Sequence, residues 1–271
     1  MKLVKLFALA PLFVLAACSD SGTGTVSFSV TARQATSPAP SPAFSSGAPA
    51  PAPAPAPSVT AAGDSTVIAL APDTIIIRSA QLVLRKVELK RADVASCDAI
   101  MGNGDCEEFE TGATLVTLPL GSVVIATEVT VNAPAGTYNG LEFEIHKPNS
   151  TDDATFIAAN PDFAAISIRV TGTFVHGTGA GAGARSDFTF TSDVDQSEEA
   201  SLVPPVTVQG GQSLNVTLRA DISGWYLNAT KTALVDPASA NKGGANESVV
   251  ANNIQNSFKA FEDDNHDGLE G

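Results

Sequence analysis

The sequence predicts an all-β protein, an antiparallel β-sandwich with one C-terminal helix. Three observations predict it. From residue 66 to 223, apolar and polar residues alternate with period two in one segment after another. The polar half of each alternation gives every segment one wet face, the mark of antiparallel sheets packed in layers. Only the last segment changes period, to that of a helix.

In order along the chain, Val26, Phe28 and Val30 alternate within Thr25–Val30 and read as a first strand. Residues 35–64 are Pro, Ala, Ser and Gly, with a Pro-Ala repeat at 50–57. Such a tract buries too little apolar area to fold by itself. It is either a stalk or a long loop inserted after the first strand. The second arrangement is favoured, because a lone first strand would leave both edges unpaired. In Gln81–Lys90 the apolar set is Leu82 and Leu84, then Val87 and Leu89. The phase slips at Arg85-Lys86, which is what a β-bulge supplies. Leu141, Phe143 and Ile145 alternate with Glu142, Glu144 and His146; Ile166, Ile168 and Val170 with Ser167, Arg169 and Thr171. Phe188 and Phe190 continue the pattern, as do Leu214, Val216 and Leu218. Val250, Ile254, Phe258 and Phe261 then form one helical stripe, with Asn246 as N-cap and Glu247 in the first turn. The organisation is therefore an export segment at 1–17, an anchor and first strand at 18–34, the tract at 35–64, the sandwich at 65–245 and a helix with an acidic loop at 246–271. The sandwich is expected to be immunoglobulin-like or transthyretin-like.

Lys2 and Lys5 precede an apolar run from Leu6 to Val14, too short to span a bilayer. Leu15-Ala16-Ala17-Cys18 follows and resembles the lipobox of bacterial lipoprotein precursors. That resemblance implies cleavage before Cys18, lipid on its sulfur and a place in the cell envelope. Ser19 resembles the residue that sorts such proteins to an outer membrane. A doubly or triply acylated cysteine anchors stably.

The formal charge is −14. Loss of residues 1–17 removes Lys2 and Lys5 and no acid, leaving 13 basic against 29 acidic residues, or −16. That excess disfavours nucleic acid and anionic lipid surfaces as partners. Cys97 and Cys106 bracket a turn-rich loop, Gly102-Asn103-Gly104-Asp105. In an oxidising compartment they read as a local disulfide; a metal–thiolate pair would want further Cys or His nearby.

Five constellations bear on chemistry. Asp263, Asn265, Asp267 and Gly268 match the first half of an EF-hand calcium loop. The Leu269 carbonyl is a further ligand, but the bidentate glutamate of position twelve is missing, so the expected calcium affinity is weak. Gly177–Gly183 is glycine-rich but is followed by a strand pattern, which makes it a hairpin loop rather than a phosphate cradle. His146, His176 and His266 lie far apart, none in a zinc-protease motif. Glu142 and Glu144 share one strand face about 7 Å apart and, with His146, are the candidates for a hydrolase. Trp225-Tyr226 ends the last strand and either caps the core or stacks on sugar rings.

The strand Thr74–Arg91, Leu118-Pro119-Leu120, the run Ala135–Ile145 and the acidic tail resemble a family of uncharacterised bacterial lipoproteins with a β-sandwich domain. The resemblance implies an envelope protein and transfers no catalytic residue. The expected function is a non-enzymatic binding or structural module, membrane-held through lipid, with a protein or glycan partner. The alternatives are a carbohydrate-binding module using Trp225 and Tyr226, and a lipid-anchored hydrolase.

Overall fold

A computed structural model describes residues 23–32, 56–92, 112–121, 126–178, 182–211 and 213–263. The fold is all-β, two sheets packed in the manner of a sandwich. The strands are β1 (Thr23–Ala32), β2 (Ser58–Ala62), β3 (Ser65–Leu70), β4 (Asp73–Arg91), β5 (Thr114–Thr117), β6 (Ala126–Pro134) and β7 (Gly136–Ile145). After a short helix α1 (Ala154–Ala159) come β8 (Ile168–Val175), β9 (Arg185–Ser192), β10 (Gln196–Val208) and β11 (Ser213–Ala220). Helix α2 (Glu247–Gln255) and β12 (Phe258–Glu262) complete the described chain.

The smaller sheet has the order β12-β11-β1-β6. The first strand is therefore built into the domain. Its Val26, Phe28 and Val30 are buried, and so are Ser29 and Thr31 on its other face. It lies parallel to β11 and antiparallel to β6, so one pair in the sandwich departs from the expected antiparallel pattern.

The larger sheet runs β10-β7-β4-β3-β2, with β5 and β8 also on β4, and β9 on β8. Its organiser is β4, which is 19 residues long. Register shows how one strand serves so many neighbours. Thr74–Leu82 pairs with β8, and Leu84–Arg91 pairs with β7, along one edge. On the other edge lie β3, opposite Asp73–Ile77, and β5, opposite Gln81–Leu84. The register against β7 shifts between Leu84 and Lys86, where the apolar phase slips. Leu82, Leu84, Val87 and Leu89 stay buried across the shift.

The neighbouring strands break at the same level. β7 ends at Ile145 and β8 resumes at Ile168; β9 ends at Ser192 and β10 resumes at Gln196. Since Leu82 pairs with Ile168 and Leu84 with Ile145, these gaps line up in a crease across the sheet. Ser167 holds the crease closed. Val83 N–H donates to its carbonyl at 2.8 Å, and its own N–H donates to Ser192 O at 2.8 Å. Its hydroxyl donates to Val194 O at 2.6 Å. Ser167 is fully buried, not on the wet face that its alternation suggested.

The glycine-rich segment joins β8 to β9, with Gly183 N–H donating to His176 O at 2.7 Å. At Gly177 a Cβ would stand 1.6 Å from the Pro72 carbonyl oxygen, so only glycine lets this loop cross the β3–β4 turn.

The tract at 35–64 was expected to be unfolded or a loop, but its end forms strand β2. Ser58–Ala62 pairs with Ser65–Ala69 through backbone bonds, which need no apolar side chains. The C-terminal stripe is not one helix. Val250 and Ile254 lie buried on α2, but Phe258 and Phe261 belong to β12, paired with Ala220 and Thr217. The chain leaves the helix because β11 offers an unpaired edge, and covering it satisfies a row of backbone groups. Asn246 does precede the helix, but its side chain donates to Ser239 Oγ at 2.9 Å instead of capping the first turn.

Candidate metal centre at the crease

The aromatic pair is not a sugar platform. Trp225 and Tyr226 are both fully buried, just after a 3-10 turn at Ile222–Gly224. Trp225 Nε1–H donates to Ser257 Oγ at 2.8 Å. Tyr226 stands edge-on to Phe188 and Phe190, at ring distances of 6.0 and 5.5 Å. Neither ring presents a face to solvent, so of the two roles the sequence offers the pair caps the core. Burial drives the Tyr226 phenol pKa well above its ordinary value. Its hydroxyl has no hydrogen-bond partner among the described residues. An unpaired buried hydroxyl costs free energy. Tyr226→Phe is therefore expected to leave stability unchanged or raise it by up to about 1 kcal/mol, read from urea unfolding. A loss above about 1 kcal/mol would mean that the hydroxyl is hydrogen-bonded.

Asp263 follows β12 and is buried. Its Oδ2 accepts from Thr217 Oγ1 at 2.9 Å, its N–H donates to Asn215 O at 3.1 Å, and its carbonyl accepts from Asn215 Nδ2 at 3.3 Å. It is anchored to β11 at the end of β12. Asn265, Asp267, Leu269 and Gly268 lie outside the described residues, as do Cys18, Cys97 and Cys106.

Glu142 and Glu144 are not a carboxylate pair. Glu142 Oε2 sits 3.0 Å from Lys90 Nζ, and its Oε1 accepts from Ser197 Oγ at 2.6 Å. Glu199 lies 3.2 Å from the same Lys90. Partial burial works against the lysine's charge, but the hydrogen bonds and charges of Glu142 and Glu199 outweigh it and raise its pKa.

Glu144 instead joins a cluster at the crease. His146 is the first residue after β7, and Asp195 the last before β10. Because Gln196 pairs with Ile145, the strand register sets Asp195 beside His146. Glu144 and His146 are two apart along the β7 line and so share a face. Ligand atoms of Glu144, His146 and Asp195 all lie within 4.8 Å of one another. His146 Nε2 stands 3.4 Å from Asp195 Oδ2, while its Nδ1 meets the Lys147 carbonyl.

Arg85, at the bulge of β4, supplies a nearby cation. It is 3.9 Å from Glu144, 3.7 Å from Asp152 and 3.9 Å from Asp153. Asp153 is itself buried and accepts from Asn149 N–H at 2.7 Å. Sequence reading singled out Glu144 and His146 but missed Asp195 and Arg85. Their link is the register of β10 on β7 and of β7 on β4, which no local pattern encodes.

A second concavity, a groove of about 560 Å³, lies beside β11 and β12. Arg219, Lys231 and Lys259 line it with Asp221, Asn253 and Ser257. Arg219 and Lys259 are direct cross-strand partners, and the Arg219 guanidinium lies 5.3 Å over the Phe261 ring. The groove is cationic in a strongly acidic chain. The chain matches no known family model, no curated protein and no solved structure.

Proposed function

We propose that this chain is a non-enzymatic binding module of the bacterial cell envelope, held to an outer membrane by lipid on Cys18. The observation that carries the reading is Leu15-Ala16-Ala17-Cys18, placed directly after a short apolar run with Lys2 and Lys5 before it. The resemblance of the strand Thr74–Arg91 and the run Ala135–Ile145 to envelope lipoproteins supports it. So does the pair Cys97 and Cys106, which would close a local disulfide once exported. The polar groove beside β11 and β12 offers a concave surface for a partner. Calcium on the tail belongs to the same proposal, with Asn265, Asp267 and the Leu269 carbonyl beside Asp263. The large negative charge favours a protein or glycan over nucleic acid.

The test is fractionation of the full chain and of Cys18→Ser in a Gram-negative host. The unsubstituted protein is expected in the membrane fraction, released only by detergent, and Cys18→Ser in the soluble fraction. Membrane retention of Cys18→Ser would contradict lipid anchoring.

A further inference from the structure

We propose that Glu144, His146 and Asp195 bind one divalent transition-metal ion of the zinc type at the crease of the large sheet. The site goes beyond the envelope reading and is built from described residues alone, so either can fail without the other.

Geometry is the first ground. In a tetrahedral site, metal–ligand bonds of about 2.0–2.2 Å hold ligand atoms about 3.3–3.6 Å apart. The three ligand atoms lie within 4.8 Å of one another and the His146–Asp195 pair stands at 3.4 Å, so closure on an ion takes side-chain rotation about staggered torsions. The three residues come from two adjacent strand lines whose register is fixed. The β4 bulge and Ser167 hold those lines together at this level.

The histidine is the second ground. Its Nδ1 faces the Lys147 carbonyl, which can only accept, so Nδ1 carries the proton. In that tautomer Nε2 is the ring nitrogen left to ligate, and it stands 3.4 Å from Asp195 Oδ2. A backbone carbonyl on the far nitrogen is also the usual way a ligating histidine is oriented.

Charge and donor type narrow the ion. Among the described residues, Glu144, Asp195, Asp152 and Asp153 stand at this corner with Arg85 and Lys147 as the cations. The excess negative charge favours a cation. An imidazole with two carboxylates suits zinc, cobalt, nickel or copper, whereas calcium takes six to eight oxygens. Three protein ligands leave a position open to water or to a donor from a partner. Arg85 is a positioning residue that aims Glu144 from the side.

The experiment is calorimetric titration of the chelator-stripped full-length protein with zinc chloride at pH 7.5, and cobalt absorption spectra on the same samples. One zinc per chain is expected at the crease, and the cobalt complex should show a visible band of low coordination number. His146→Ala and Asp195→Asn should each weaken that binding at least tenfold. His266→Ala and Cys97→Ser/Cys106→Ser should leave it unchanged, because those residues belong to other segments. Asp195 is largely exposed, so Asp195→Asn folds and decides the matter should His146→Ala unfold. Absence of one-to-one zinc binding, or binding that survives Asp195→Asn, would overturn the site and leave His146 as one half of an ion pair.

Discussion

Trp225→Ala is expected to lower stability by about 3–5 kcal/mol, the cost of emptying a buried indole site. The ring is fully buried, and it does more than fill space. Its N–H donates to Ser257 Oγ, whose own hydroxyl donates to Ile254 O at 2.6 Å. Its backbone carbonyl accepts from Asn253 Nδ2 at 3.1 Å. The residue therefore fastens the end of α2 to the end of β11, with Phe258 packed at 6.4 Å. Trp225→Phe keeps an aromatic ring and should lose about half as much. Because this is the only tryptophan in the chain, far-UV circular dichroism must follow the urea unfolding. A change within about 0.5 kcal/mol would fit an exposed side chain and contradict the packing described.

Asp263→Ala should cost about 1.5–3 kcal/mol even when calcium is removed by chelator. Ser29 Oγ donates to Asn215 Oδ1 at 3.0 Å, Asn215 Nδ2 reaches the Asp263 carbonyl, and Thr217 Oγ1 reaches its carboxylate. These groups are all buried, so deleting the carboxylate strands the Thr217 hydroxyl without its acceptor. The chelator is the discriminating condition. A residue serving only as a calcium ligand would show no stability change there, whereas a member of the buried network shows the full loss. Equal urea midpoints for Asp263→Ala and the parent protein in chelator would refute the network.

The fold was legible where period two was unbroken or broken once. Leu82, Leu84, Val87 and Leu89 announce both the strand and its bulge, because a single phase slip with apolar residues on either side has few other causes. Val26, Phe28 and Val30 announce β1, and the penalty of unpaired edges argues that it joins the sheet. What stayed hidden depends on partners distant in sequence. The parallel pairing of β1 with β11 leaves no mark on either strand. Phe258 and Phe261 fit a helical stripe as well as they fit β12, and only the open edge of β11 decides between them. Ser58–Ala62 has one apolar anchor, Val59, and owes its strand to β3. At the crease, Glu144 and His146 could be read as neighbours on one face. Asp195 could not, because it reaches them only through the register of β10 on β7.

The measurement that bears most directly on this account is anomalous diffraction at the zinc edge from crystals of the full chain grown with zinc. One strong peak is expected at the crease, about 2.0–2.2 Å from Glu144, His146 Nε2 and Asp195. A map with no peak there, or with its only peak on the Asp263–Gly271 segment or between Cys97 and Cys106, would contradict it.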